Sequence, residues 1–272
     1  MARRAFDGRV AVVTGAGGGI GAASARRLSA DGARVVVVDI DGAAARTVAE
    51  ELPGEAVAVE ADVAVEEDVD RYVAAAVDRF GRIDLHHLNA GIFGTFDRLP
   101  DLSAADFDRV IAVNLRGPFL GLRAAFRRYE RQGGGGAIVV TGSIAGLRGS
   151  ADLLPYQTSK HGVMGLIHGA AIYGGPLGVR VNGVAPGLVP TGLFGSGGAA
   201  KGGGGDMERR GTTTPMRRVG TPEEIAGVVA FLLDDDSGYV TGEVVAADGG
   251  ASVVNTVRPS GGAGAWDPGD IV

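Results

Sequence analysis

Tyr156 and Lys160 stand four residues apart in Tyr156-Gln-Thr-Ser-Lys160, a spacing that puts both side chains on one face of a helix. Such a pair can move a proton. A free phenol titrates near ~10, too high for an efficient base at neutral pH. A neighbouring ammonium favours the phenolate and lowers that value. Lysine also brings three donors, enough to hold ribose hydroxyls while its charge acts on the tyrosine. The spacing alone recurs by chance, commonly as a half-buried tyrosine beside a solvated lysine. Two facts set this pair apart. Lys160 is one of two lysines in a chain that otherwise uses arginine, and the other, Lys201, sits beside a glycine run. Ser143 follows a predicted strand at 137–141, on the side where the carboxyl ends of parallel strands form a binding crevice.

A second constellation binds rather than reacts. Thr14-Gly-Ala-Gly-Gly-Gly19-Ile20-Gly21 lies between a predicted first strand and first helix. In that context Gly15, Gly19 and Gly21, with Ile20, form a tight turn that brings backbone close to a pyrophosphate at a helix N-terminus. The plainer alternative is a turn that only packs a strand on a helix. Asp39 ends the second strand, where a carboxylate can accept bonds from both adenosine ribose hydroxyls and repel a 2′-phosphate. No basic residue lies between Thr14 and Gly21, and Ile40 follows Asp39; both facts favour NAD over NADP. The plainer alternative for Asp39 is a cap on the next helix.

These residues need a scaffold, and the hydropathy pattern supplies one. Strands are predicted at Val10–Val13, Arg34–Asp39, Ala56–Glu60, Leu85–Leu88, Ala137–Thr141, Val179–Val184 and Glu243–Ala247. Helices are predicted at Gly19–Ala30, Asp41–Leu52, Val65–Phe80, from the Ser103 cap through Arg131, at Tyr156–Tyr173, and from Thr221-Pro-Glu-Glu224. The four consecutive valines from Val35 to Val38 mark a strand buried on both faces. Strict alternation of strand and helix implies a single α/β domain of the Rossmann type, a doubly wound parallel sheet of about seven strands with helices on both faces, over residues 1–250. The irregular stretch at 188–216 is expected to be a substrate lid, and the glycine-rich 251–272 a tail.

Composition narrows the function. The chain has 272 residues, 45% hydrophobic and 21% charged, with 48 glycines, no cysteine and a net charge of −6. An acidic chain does not offer nucleic acid a basic face. No apolar run approaches the ~20 residues of a membrane span, and the absence of cysteine fits a reducing cytoplasm. His86 and His87, placed at a strand edge, and His161 and His168, on the Tyr156 helix, lack a second ligand at metal spacing, so no metal is expected.

Taken together, the motifs resemble the short-chain dehydrogenase/reductase family from about Gly8 to Gly250. The resemblance rests on Thr14–Gly21, Asp62-Val63, Asn89-Ala-Gly91, Asn114, Ser143, Tyr156 with Lys160, Pro186-Gly187 with Thr191, and Asp248-Gly-Gly250. It implies an NAD-dependent exchange of a hydride between the nicotinamide and a secondary alcohol or ketone. By that resemblance Ser143 would bind the substrate oxygen, Tyr156 carry its proton, Lys160 hold the nicotinamide ribose, and Asn114 hold a relay water. Asp62 and Val63 would meet the adenine, Asn89 and Gly91 the adenosine and ribose side, and Val189 and Thr191, after Pro186, the carboxamide. It further implies a homotetramer built on the helices carrying Asn114 and Tyr156. His86-His87-Leu88 departs from the family's usual apolar run and second asparagine. Phe93, Ala145, Leu147, Leu153, Leu154, Leu188, Leu193 and Phe194 are the expected pocket walls, which fits a small, largely apolar substrate. Two other readings compete: an NADPH-dependent 3-oxoacyl or polyketide-type ketoreductase, and a dinucleotide-sensing protein without turnover. Asp39 speaks against the first, and retention of Tyr156, Lys160, Ser143 and Asn114 against the second.

Overall fold

The computed structural model describes residues 5–149, 153–192 and 207–254. Seven strands, β1 (Val10–Thr14), β2 (Arg34–Asp39), β3 (Ala56–Glu60), β4 (Leu85–Leu88), β5 (Gly136–Thr141), β6 (Val179–Pro186) and β7 (Val244–Ala247), form one parallel sheet in the order β3-β2-β1-β4-β5-β6-β7. The order reverses between β1 and β4, and a crevice opens there at the carboxyl ends of the strands, as expected for a doubly wound sheet. The valine run explains why the sheet lies between layers. Val36 and Val38 pack into the core on one face and Val35 and Val37 into the core on the other, because successive strand side chains alternate.

The helices are α1 (Gly19–Ala30), α2 (Gly42–Glu51), α3 (Glu66–Phe80), α4 (Ala104–Ile111), α5 (Gly117–Gln132), α6 (Leu154–Gly174), α7 (Met207–Gly211) and α8 (Pro222–Leu233). α1 packs on α8, while α3 and α6 both contact α5. α8 starts with a capping box: Thr221 Oγ1 accepts from Glu224 N and Glu224 Oε2 accepts from Thr221 N, which satisfies two otherwise orphaned donors. Among the described residues no helix is long and apolar enough to cross a membrane.

Three expectations need correction. β4 is the central strand rather than an edge, so His86 and His87 are fully buried. The helix expected to run unbroken from Ser103 through Arg131 is α4, then a π-helical turn at Ala112–Arg116, then α5. Pro118 accounts for this break: it has no N–H to give the carbonyl of Asn114, four residues before it, so the ladder cannot continue in α register. The Tyr156 helix begins two residues early, at Leu154, because Pro155 suits a first turn. Of the expected lid and tail, 193–206 and 255–272 lie outside the described residues, as do Lys201, Leu193 and Phe194.

Candidate active site

The turn between β1 and α1 shows why it is made of glycine. Gly15 has φ +63°, and a Cβ on it would lie 2.8 Å from Ala90 Cα. A Cβ on Gly21 would overlap the carbonyl oxygen of Gly15. The turn therefore closes only with no side chain at Gly15 and Gly21. Gly18 caps α1 with no side-chain bond, and no acidic residue lies in the first turn. The first N–H groups of α1 are thus left to an anion, with the positive end of the helix dipole behind them. A dinucleotide pyrophosphate fits this cradle.

Asp39 lies beside it. Its Oδ2 accepts from Gly17 N at 2.8 Å and its Oδ1 from Asp41 N at 3.0 Å. The cap of α2 is Asp41, whose Oδ1 accepts from Ala43 N and Ala44 N, so Asp39 is not the helix cap. Each Asp39 oxygen has a second lone pair, and Asp39 borders the cleft. Asp62 Oδ1 accepts from Ala64 N at 2.8 Å, and Val63 packs under Gly117. Asn89 sits beneath the turn, its Nδ2 donating to the carbonyls of Thr14 and Gly15, both at 3.2 Å.

A cleft of about 570 Å³ joins these groups to the Tyr156 region; it is lined by Gly15, Gly19, Ile20, Asp39, Asp62, Val63, Asn89, Gly91, Ser143, Tyr156, Lys160, Pro186, Val189 and Thr191. All the expected cofactor residues except Gly21 thus face one space, and Gly21 forms the floor of the turn. Ser143, at the end of β5, meets Tyr156 of α6 through a side-chain hydrogen bond. Phe93 packs on the Tyr156 ring at 4.8 Å between centroids. Lys160 Nζ lies 5.7 Å from that ring centroid and donates to Thr141 O at 2.8 Å. Asn114, fully buried in the π-turn, donates from Nδ2 to Ile92 O at 2.8 Å and to Ser159 Oγ at 3.1 Å, and its Oδ1 accepts from Ile92 N. It does not line the cleft itself. Gly91 lies between it and Lys160: a Cβ there would stand 3.3 Å from Asn114 Oδ1 and 3.6 Å from Lys160 Nζ.

The electrostatics differ from the sequence expectation in one respect. Burial raises the Tyr156 phenol, and the Ser143 hydrogen bond opposes that only in part. Burial lowers Lys160 to about 8. The lysine charge therefore does not by itself bring the tyrosine below its ordinary value; the desolvation of both groups dominates. His86 and His87 are each pushed down to about 3 by burial and are neutral. Among the described residues no three His, Asp or Glu side chains gather as metal ligands.

Phe93, Ala145, Leu153 and Leu188 line the cleft as expected, whereas Leu147 and Leu154 do not. Sequence reasoning missed Ile92, Val113, Ile144, Arg148 and Arg210. Arg148 is held by Ser252 O, accepting from its Nε at 3.1 Å, and α7 delivers Arg210 from far along the chain. The proline at 118 was the one readable signal, since it marks the π-turn that places Val113 and Asn114.

Comparison with known proteins points to one family. The sequence model of a family described as enoyl-(acyl carrier protein) reductase matches residues 15–252. Levodione reductase of Leifsonia aquatica is 40% identical over 257 residues, 91% of this chain and 95% of that protein. Cyclohexanol dehydrogenase of Acinetobacter sp. (strain SE19) is 41% identical over 251 residues, 90% of this chain and 95% of that protein. The crystal structure of levodione reductase superposes with a TM-score of 0.86 at 40% identity, covering 92% of this chain and 100% of that one. With sequence, fold and site geometry in accord, the chain belongs to the short-chain dehydrogenase/reductase family and is an oxidoreductase that uses a nicotinamide dinucleotide.

Proposed function

We propose that the chain interconverts a small, largely apolar secondary alcohol and its ketone with NAD(H), and that Tyr156 transfers the proton. The observation that carries this is the single cleft in which Tyr156, Ser143 and Lys160 adjoin the glycine cradle and Asp39. When bound, the dinucleotide supplies hydride chemistry, and the chain does the rest. The N-terminus of α1 holds the pyrophosphate, and Asp39 holds the adenosine ribose and disfavours a 2′-phosphate. Asp62 and Val63 border the adenine, and Val189 and Thr191 orient the carboxamide. Ser143 donates to the substrate oxygen. The buried phenol of Tyr156 is protonated at neutral pH, which suits it to protonate the oxygen of a ketone as it is reduced. Alcohol oxidation asks it to accept a proton and so gains as pH rises. Lys160 holds the nicotinamide ribose hydroxyls. Asn114 anchors the π-turn behind Lys160, where a carbonyl without its α-helical donor suits a relay water.

Phe93, Ile92, Ile144 and Leu188 give the substrate end an apolar wall, in keeping with the cyclohexanol named for one relative. Phe119, Ile172 and Tyr173, 45%, 80% and 60% exposed on α5 and α6, support packing of those helices across subunits in a homotetramer. A cysteine-free chain drawing on NAD(H) fits the cytoplasm. The test is nicotinamide absorbance with a panel of cyclic and acyclic secondary alcohols and ketones, each with NAD(H) and NADP(H). Turnover that prefers NAD(H) is expected; preference for NADP(H) removes the role given to Asp39 and favours the 3-oxoacyl-type alternative.

A further inference from the structure

His87 is fully buried in the middle of the sheet and is not required by the proton chemistry above. Its Nε2 lies 2.9 Å from Thr141 Oγ1. Thr141 Oγ1 in turn donates to Asn89 Oδ1 at 3.1 Å. Asn89 Nδ2 then donates to the carbonyls of Thr14 and Gly15. Counting protons fixes the direction of this chain. Two backbone carbonyls can only accept, so the amide nitrogen of Asn89 must face them and its oxygen must face Thr141. A threonine hydroxyl has one proton, and Asn89 Oδ1 takes it. What remains on Thr141 Oγ1 is acceptor capacity, so His87 must be the donor and carry its single proton on Nε2. Burial keeps the ring neutral, so Nδ1 is an acceptor, and among the described residues it has no hydrogen-bond partner.

We propose that His87 is a positioning residue for the dinucleotide turn: its Nε2–H pins the Thr141 hydroxyl, which pins the Asn89 amide, which holds the carbonyls of Thr14 and Gly15. This rests on the reading of that turn as the dinucleotide site. The geometry leaves the turn little slack. The Cβ position of Gly21 is 2.8 Å from Asn89 Nδ2 and that of Gly15 is 3.1 Å from it, so the amide is wedged against the backbone that cradles the pyrophosphate. The same Thr141 accepts from Lys160 through its carbonyl, so one residue ties the cradle to the lysine. A leucine or valine at position 87 would preserve the strand but leave Thr141 Oγ1 without a donor, held only by its own bond to Asn89.

The experiment is a titration of NADH and NADPH, without substrate, into the full chain and four variants: His87→Leu, His87→Gln, Thr141→Val and the double His87→Leu/Thr141→Val. Loss of one buried hydrogen bond should weaken binding of the preferred dinucleotide about tenfold in His87→Leu and in Thr141→Val. The double variant should bind no worse than Thr141→Val, because the chain is already cut. His87→Gln, whose amide N–H reaches about as far as Nε2, should stay within about threefold of the native chain. A merely structural histidine would lower thermal stability without this coupling or rescue. Unchanged affinity in His87→Leu, additive losses in the double variant, or glutamine no better than leucine would overturn the proposal. If His87→Leu does not fold, His87→Gln and Thr141→Val decide it: equal affinities overturn it. A native chain that binds neither dinucleotide overturns the site reading and this inference with it, whereas tight native binding with unresponsive variants overturns this inference alone.

Discussion

At the cradle end of the crevice, most groups proposed to meet the cofactor are backbone, supplied by one short turn and the start of α1, with Asp39 one strand away. At the Tyr156 end they are side chains drawn from β5, α6, the loop after β4 and the distant α7. The first end is local in sequence and fixed by sterics: a single Cβ at Gly21 would close it. The second end is assembled by the fold and tuned by burial, with Tyr156 raised and Lys160 lowered because both are taken out of water. On the proposed reading, binding is built into local geometry, while reactivity depends on how the whole sheet is covered. Lys160 and Thr141 lie where the two ends meet.

The largest effect that separates the ends is expected at Lys160. Lys160→Met should reduce kcat by at least about a hundredfold. It should also raise the melting temperature of the unliganded chain by roughly 5 °C, since a buried amine is removed. Its pH signature has a definite sign. The folded value of about 8 lies below the free value of 10.5, so the unfolded chain binds more protons between them. Native stability therefore rises with pH across that window, and this rise should be missing in Lys160→Met; an unchanged pH–stability curve would break the claim that burial governs this end.

At the cradle end, Asp39→Ala should lower kcat/KM for NAD by about ten- to a hundredfold, the worth of one or two charge-assisted bonds, with little loss for NADP. Equal losses for both cofactors would show Asp39 to be a brace for Gly17 alone. A smaller effect comes from the sheet beneath both ends. His86 and His87 titrate near 3 in the folded chain against 6.5 when free. The unfolded chain thus takes up protons first as pH falls, and stability should decline from about pH 6.5 towards 3, by an amount that His86→Leu reduces. Denaturant melts at stepped pH check this; a flat profile would mean that these rings are not held neutral.

Much of this was legible in the sequence, and unevenly so. Strand and helix positions followed from the valine runs and from Thr221-Pro-Glu-Glu224, whose capping box is a local device. The cradle followed from glycine spacing for the same reason. The π-turn was not read, because periodicity over 103–131 is continuous and only Pro118 betrays the break. Arg148 and Arg210 were not read as lining because tertiary packing brings them there. Two polar residues in a short strand suggest an edge; instead Tyr129 of α5 meets His86 and Thr141 of β5 meets His87 in the interior. The lysine was expected to lower the tyrosine, but a sequence does not show how deeply both are buried.

The central proposal is that the Tyr156 hydroxyl moves the proton. Its most direct test is one preparation of Tyr156→Phe measured twice, by NADH titration and by turnover with the best alcohol–ketone pair. NADH affinity within about threefold of native, with kcat reduced by at least about a hundredfold, is the predicted result. Turnover that survives the loss of the phenol hydroxyl would contradict it and assign the proton to another group.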